Sequence, residues 1–444
     1  MFTGVAATVV NTGVLAIAYP IYLHFLGYEK YGVWLVLATV LSFAQLGDLG
    51  ISQAIMKLVA EEYARGNIQA IQQYVTTAIA ILMAAGAAAL IVILTFRTQI
   101  TSVFKLTGEN AQMVLWLLPY IASLSIYVFI VHALNAALSG LGRMDLANWA
   151  QSAGRIAAVA TAASLLYSGY GIESLLIGSI LSYMLIHIVT VILIWRIAHI
   201  RLLRIGNLSG RCCKRLLGFG LGLFGGSVIN MLLSPFNKLM LSRYAGVSTI
   251  PVYEIAFTGS MQVRNLIESG LRALMPEISR IGANMTSYAK DRISQIYRRA
   301  MRLIFVVGIP MYGIVAIFSP FLLKVWLGDR FVETLPGAFQ IMLIGVSFTG
   351  LLGALPYYVI MGFGKVRYLV TASIIASGCN FLLVISTYAL MRCVSLCSVS
   401  ICMTLSHVMS LTYLFGRARF LFSLDMGQVV SHRPLTNLLR SLKD

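Results

Sequence analysis

The chain has 444 residues, 59% of them hydrophobic and 11% charged, with a formal net charge of +18. Its mean hydropathy is +0.86, and a soluble domain of this size would need a polar shell that so few polar residues cannot supply. Apolar runs of about 20 residues or more, without the ten-residue alternation of a barrel, make this an all-α polytopic membrane protein. The positive charge then belongs to cytoplasmic loops, and no nucleic acid is expected as a partner.

Reading the apolar runs between charged residues and Gly/Pro breaks predicts twelve transmembrane helices. They cover residues 2–26, 31–56, 71–96, 111–141, 145–168, 172–195, 217–243, 251–279, 301–326, 337–361, 367–391 and 394–416. The first span has no basic leader region and its first charge is Glu29, so it reads as a retained helix; its apolar start at Met1 predicts a short basic leader ahead of it. The second span carries Asp48 within Gly47-Asp48-Leu49-Gly50. A carboxylate at that depth either carries a proton or cation for coupling or bonds the local backbone of a bent helix. Arg155 lies about eleven residues into the fifth span, near mid-depth at ~1.5 Å per residue, with Gln151 and Ser152 one turn away. It either faces a cavity as an anion contact or pairs with another helix.

The basic stretch from Arg196 to Arg215 divides the chain. The expected organisation is an N-terminal six-helix bundle over 1–200, a basic connector over 201–216, a C-terminal six-helix bundle over 217–420 and a tail over 421–444. In the seventh span Lys238 follows Pro235 near one end, where it can snorkel or meet substrate. In the eighth, Glu254, Met261, Arg264, Asn265, Glu268 and Arg272 share a face about 100° wide. That polar stripe lines a cavity, forms an internal ladder through Arg264, Glu268 and Arg272, or does both. The segment 284–300 is polar and basic and reads as a short surface helix. Ionisable residues inside spans face protein or water rather than lipid. The substrate-binding candidates are therefore Arg155, Lys238, Arg264, Arg272 and Asn265, and the coupling candidates Asp48, Glu254 and Glu268. His132, His187 and His407 are isolated in apolar helices and read as interhelical hydrogen bonders.

Basic residues give the orientation. Lys57, Arg65, Arg143, the Arg196–Arg215 cluster, Arg280–Arg302, Lys365, Arg367 and the tail fall on one side. The other side has only Lys30, Arg97, Lys105, Arg243, Lys324, Arg330 and Arg392. The bias places both termini in the cytoplasm. Three landmarks repeat at offsets of about 220 residues: Gly27…Tyr31 with Gly246…Tyr253, Lys105…Gly108-Glu109 with Lys324…Gly328-Asp329, and Gly140-Leu-Gly-Arg143 with Gly362-Phe-Gly-Lys365. A duplicated membrane unit is an architecture of transporters, which hold substrate between repeats. There is no P-loop, no His-Glu-x-x-His motif and no catalytic triad, so an enzyme is not expected. The six cysteines lack zinc spacing; no cofactor, metal or disulfide framework is expected.

The stretch Phe25-Leu-Gly-Tyr-Glu-Lys-Tyr-Gly-Val-Trp34, then Leu46-Gly-Asp-Leu-Gly50 and Glu61-Glu-Tyr-Ala-Arg-Gly-Asn67, resembles the start of a polysaccharide-transporter protein. Asn237-Lys-Leu-Met-Leu-Ser-Arg-Tyr-Ala-Gly246, Val252-Tyr-Glu-Ile-Ala256 and Leu274-Met-Pro-Glu277 agree in the second half. The resemblance, over about residues 25–420, is to Wzx-type O-antigen flippases of the multidrug/oligosaccharidyl-lipid/polysaccharide exporter superfamily. Asn237 departs from it, since that family often has Asp there, and an ionic role at the position is in doubt. The resemblance implies two six-helix bundles in a V. It implies alternating-access transfer of an undecaprenyl-pyrophosphate-linked oligosaccharide to the periplasmic leaflet of a bacterial inner membrane. Partners would be that substrate, inner-membrane lipids, a polysaccharide polymerase and a chain-length regulator; H+ or Na+ would be the coupling ion. The alternatives are a multidrug/toxin extrusion antiporter of the same superfamily, a lipid II flippase, which would carry fourteen spans, and a membrane-embedded glycan polymerase or ligase.

Overall fold

The computed structural model describes residues 2–44, 48, 50–198, 208–271, 287–362 and 366–422, and every regular element among them is helical. In chain order these are α1 (Phe2–Ala44), α2 (Ile51–Ala64), α3 (Ile68–Thr95), α4 (Arg97–Val103), α5 (Gly108–Gly140), α6 (Met144–Tyr167), α7 (Glu173–Ala198), α8 (Gly210–Ala245), α9 (Thr249–Leu271), α10 (Ser287–Leu327), α11 (Thr334–Phe348), α12 (Ala354–Gly362), α13 (Val366–Met391) and α14 (Leu396–Phe422). A 3-10 turn, Gly328–Arg330, follows α10, and a π-helical turn, Thr349–Gly353, joins α11 to α12.

Among the described residues, eight helical stretches are long and apolar enough to cross a membrane, from Ala6–Ser42 to Leu396–Arg417. The protein is therefore a multi-pass membrane protein. α6 has the length but not the hydropathy, because Asn148, Gln151 and Arg155 interrupt its apolar run.

Several boundaries differ from the sequence reading. The first two expected spans are one merged helix, α1, kinked where Gly27 takes φ 67 and ψ 177. The second span does not continue unbroken to residue 56: Gly50 at φ 72 starts a separate helix, α2. The segment 284–300 is not a separate surface helix from Ser287 onward. It runs straight into α10, because no breaker separates Arg299 from the apolar run and Tyr297, Met301 and Ile304 fall on one buried stripe.

By contact the chain forms two compact units. One comprises the described residues of Met1–Ala256, Leu323–Leu335 and Val384–Val399; the other those of Phe257–Leu322, Pro336–Leu383 and Ser400–Asp444. In the first, α2 buries Ile51, Ala54, Ile55, Leu58 and Val59, a helical stripe, against Ile71, Tyr74 and Ile79 of α3 and Phe129, Leu134 and Leu138 of α5. The start of α8 belongs to this core through Cys212 and Leu216. Ser209 caps α8 by accepting from the Cys212 N–H at 3.4 Å. α6 and α7 pack closely, since a Cβ on Gly178 would meet the Ala158 carbonyl at 2.6 Å. In the second unit, Tyr297, Met301 and Ile304 of α10 pack on Leu355, Tyr358 and Val359 of α12. The hydroxyls of Thr404 and Ser410 in α14 donate to the carbonyls of Ile341 and Ala372 at 2.8 and 2.7 Å.

Two of the repeated landmarks share backbone conformation. Gly246 (φ 94, ψ 154) matches Gly27, and Gly108 and Gly328 have φ 56 and 53. The first pair lies in a region that essentially only glycine occupies.

Candidate functional site

A cavity of about 600 Å³ opens inside the first unit. It is lined by Asp48, by Ser52, Gln53 and Met56 of α2, by Val131, His132, Asn135, Ala136 and Ser139 of α5, by Gln151 and Arg155 of α6, and by Ser182, Tyr183 and Ile186 of α7. The spacing explains the convergence. His132, Asn135 and Ser139 recur every three or four residues on α5, and Gln151 and Arg155 stand one turn apart on α6.

Asp48 bonds the local chain, one of its two sequence readings. Its Oδ1 accepts from the Ser52 N–H at 3.2 Å and the Ser52 hydroxyl at 2.9 Å, which ties it to the first turn of α2. It also faces the cavity. Arg155 makes no ion pair among the described residues, although it shares the cavity with Asp48. Gly154 beside it lets α7 come close, for a Cβ there would meet the Ser182 hydroxyl at 3.0 Å.

Four other sequence-predicted charges pair with one another, Lys238 with Glu254 and Arg264 with Glu268. Lys238 Nζ lies 2.8 Å from Glu254 Oε2, with side chains only 10% and 19% exposed. The distance is short but the approach is off the direction a hydrogen bond requires, so the attraction is mainly charge on charge. Asn237, fully buried, donates from Nδ2 to the Tyr253 hydroxyl at 3.2 Å beside this pair. Arg264 Nε donates to Glu268 Oε1 one turn along α9. The stripe read along the eighth span is thus split: Glu254 belongs to the first unit and Arg264, Asn265 and Glu268 to the second. Asn265 is half-buried. Arg272 lies outside the described residues.

The three histidines do not follow one pattern. His132 lines the cavity. His187 stacks on Tyr127, centroids 5.4 Å apart. His407 Nδ1 contacts the Met403 carbonyl of its own helix at 2.8 Å rather than reaching another helix. Sequence reasoning left out Gln53, Asn135, Ser139 and Tyr183; the i, i+3, i+7 polar spacing on α5 was the signal that could have found two of them.

Chemically, the cavity offers one guanidinium that pairs with no carboxylate among the described residues, the Asp48 carboxylate, three side-chain amides and several hydroxyls. A guanidinium forks onto phosphate or carboxylate, and amides and hydroxyls exchange hydrogen bonds with sugar hydroxyls.

Comparison with known proteins agrees with a transporter. Residues 24–336 match the model of a family described as "Polysaccharide biosynthesis protein". A Shigella flexneri protein named "Putative O-antigen transporter" is 21% identical over 346 residues, 77% of this chain and 78% of that protein. Among solved structures, the lipid II flippase MurJ in an inward closed conformation superposes with a TM-score of 0.76 at 13% identity, covering 94% of this chain and 87% of that one. An inward-facing multidrug resistance MATE family transporter of the MOP superfamily superposes with a TM-score of 0.72 at 15% identity, covering 94% and 98%. The fold is thus one shared with solved transporters, and the family is that of polysaccharide biosynthesis proteins.

Proposed function

We propose, for a chain that belongs to the polysaccharide biosynthesis protein family, that it is a flippase for a lipid-linked oligosaccharide. The substrate is an undecaprenyl-pyrophosphate-linked repeat unit of O-antigen or a related surface polysaccharide. It moves from the cytoplasmic to the periplasmic leaflet of a bacterial inner membrane by alternating access. Twelve spans with both termini cytoplasmic, arranged as six-helix bundles over 1–200 and 217–420 around a basic connector, are part of this reading. So are a cytoplasmic tail over 421–444 and, as partners, a polymerase and a chain-length regulator.

The observation that carries the reading is the cavity in which Arg155, paired with no carboxylate among the described residues, stands among amides and hydroxyls. A diphosphate-sugar head cannot cross hydrocarbon bare, because its polar groups would lose their hydrogen bonds. Arg155 would hold a phosphate oxygen, while Gln53, Asn135 and Gln151 would take sugar hydroxyls. Lys238, Arg264 and Arg272 remain further candidate contacts. Asp48, Glu254 and Glu268 are the carboxylates open to coupling with H+ or Na+. Asp48 is the one of them with no cation bound to it among the described residues.

The test is a strain lacking the chain, complemented with wild type, Arg155→Ala or Arg155→Lys. The proposal expects lost surface glycan, accumulation of lipid-linked single repeat units, rescue by wild type and failure of Arg155→Ala. Normal surface glycan in the deletion, with increased sensitivity to organic cations, would move drug extrusion to the front.

A further inference from the structure

The carbonyls of Ala16 and His24 are among those in α1 that lose their helical donors. Pro20 has no N–H, so the Ala16 carbonyl four residues earlier has no partner of the regular kind. The bond from the Tyr28 N–H to the His24 carbonyl would span Gly27, whose φ of 67 and ψ of 177 break the ladder there. A kinked helix persists in a membrane where neighbouring groups satisfy what the kink frees.

Both carbonyls receive donors, and both donors come from one place more than 300 residues away. Trp326 Nε1 donates to the Ala16 carbonyl at 2.7 Å. Arg330 Nη2 donates to the His24 carbonyl at 2.9 Å. The Tyr28 hydroxyl returns a bond to the Arg330 carbonyl at 2.6 Å. The Trp326 ring stands edge-on to Tyr19 with centroids 6.1 Å apart. Trp326 lies in the last turn of α10 and Arg330 ends the 3-10 turn after it, within the same compact unit as α1.

We propose that Trp326 and Arg330 are positioning residues for transport, a clasp that holds the bent arm of α1 by capping the carbonyls that Pro20 and Gly27 expose. The bonds at His24 and Tyr28 lie at exposed positions near the end of the first expected span, where water can replace them when the clasp opens, whereas Ala16 lies within the apolar stretch. That keeps the two states close in free energy, which suits a contact that must open and close. On the orientation proposed above, the clasp sits at the periplasmic face. Only this last assignment and the consequence for transport rest on the flippase reading.

The test uses Ala18→Cys, a site 2% exposed between Ala16 and Tyr19, in the full-length protein with Cys393 and Cys397 changed to Ser. Labelling by a membrane-impermeant maleimide in intact spheroplasts is normalised to labelling after denaturation. Trp326→Phe keeps the ring and deletes the donor. It should raise labelling roughly fivefold, the population shift expected from one neutral hydrogen bond. Pro20→Ala returns an N–H to the Ala16 carbonyl from within the helix. Combined with Trp326→Phe it should bring labelling back to within about twofold of the parent. Arg330→Gln should also raise labelling, but Pro20→Ala should not rescue it, because Arg330 caps a different carbonyl. Unchanged labelling in both Trp326→Phe and Arg330→Gln would overturn the clasp. So would a rise in Trp326→Phe that Pro20→Ala leaves intact, which would mean ring packing alone. Surface glycan is scored in parallel. Labelling that follows the clasp without any glycan phenotype would count against the flippase reading and leave the clasp standing.

Discussion

Replacing Lys238 and Glu254, singly and together, separates a structural ion pair from a coupling carboxylate. The charges are 2.8 Å apart, which at an effective dielectric of about 20 corresponds to ~6 kcal/mol of attraction. Both groups gave up most of their hydration to reach that position, so the pair's net contribution is far smaller. Deleting one partner strands the other, and that costs ~3–5 kcal/mol. Lys238→Met or Glu254→Gln alone should therefore destabilise the purified protein strongly in a thermal unfolding assay. The double variant removes both charges and should return to within about 1 kcal/mol of wild type, since neutral replacements of a buried pair are often no worse than the pair. A double variant that loses the sum of the two singles would refute the argument, because the costs would then come from packing around Asn237 and Tyr253. Transport provides the second readout. A stable double variant that still carries glycan removes Glu254 from the coupling candidates; a stable one that does not carry it keeps Glu254 among them.

Substitutions at four other sites follow from the same structure. Gly178→Ala should cost ~1–3 kcal/mol, because the new Cβ meets the Ala158 carbonyl at 2.6 Å and helix backbone cannot retreat as a side chain can. Gly13→Ala, with nothing within 4 Å, should be neutral or stabilising by up to about 1 kcal/mol in the same unfolding assay. Arg155→Ala should weaken binding of the diphosphate head by roughly 10- to 150-fold, the worth of a charge-assisted hydrogen bond, with Arg155→Lys retaining part of it; isothermal titration with a short-chain lipid diphosphate reads this directly. Asp48→Asn keeps an oxygen for the Ser52 donors and should leave stability within about 1 kcal/mol, whereas Asp48→Ala also loses a cap worth ~0.5–2 kcal/mol. If Asp48 couples transport to an ion, both variants lose surface glycan at unchanged membrane abundance.

The class of the protein was legible because lipid imposes it: long apolar runs have few ways to satisfy their backbone in hydrocarbon. The kinks were partly legible too. Gly27 and Gly246 stood out as paired landmarks, and both adopt a backbone that other residues avoid. The break at Gly50 was less so, because apolar residues continue on both sides and nothing in the spacing marks a new helix starting at Ile51.

Charge partnership was legible only where it is local. Arg264 and Glu268 are one turn apart on one helix, and they pair as that spacing allows. Lys238 and Glu254 are 16 residues apart on separate helices, and they meet only because Gly246 lets the chain double back from α8 to α9. Arg155 is the reverse case. Its lack of a carboxylate partner depends on what α2, α5 and α7 bring to α6, and no periodicity within α6 encodes that. The unpaired charge is also the informative one. A buried cation that finds a carboxylate can be explained by folding alone, whereas Arg155 is exposed in the cavity and open to an incoming anion. That is the physical reason to place the head group at Arg155 before Lys238 or Arg264, whose charges are already answered within the protein.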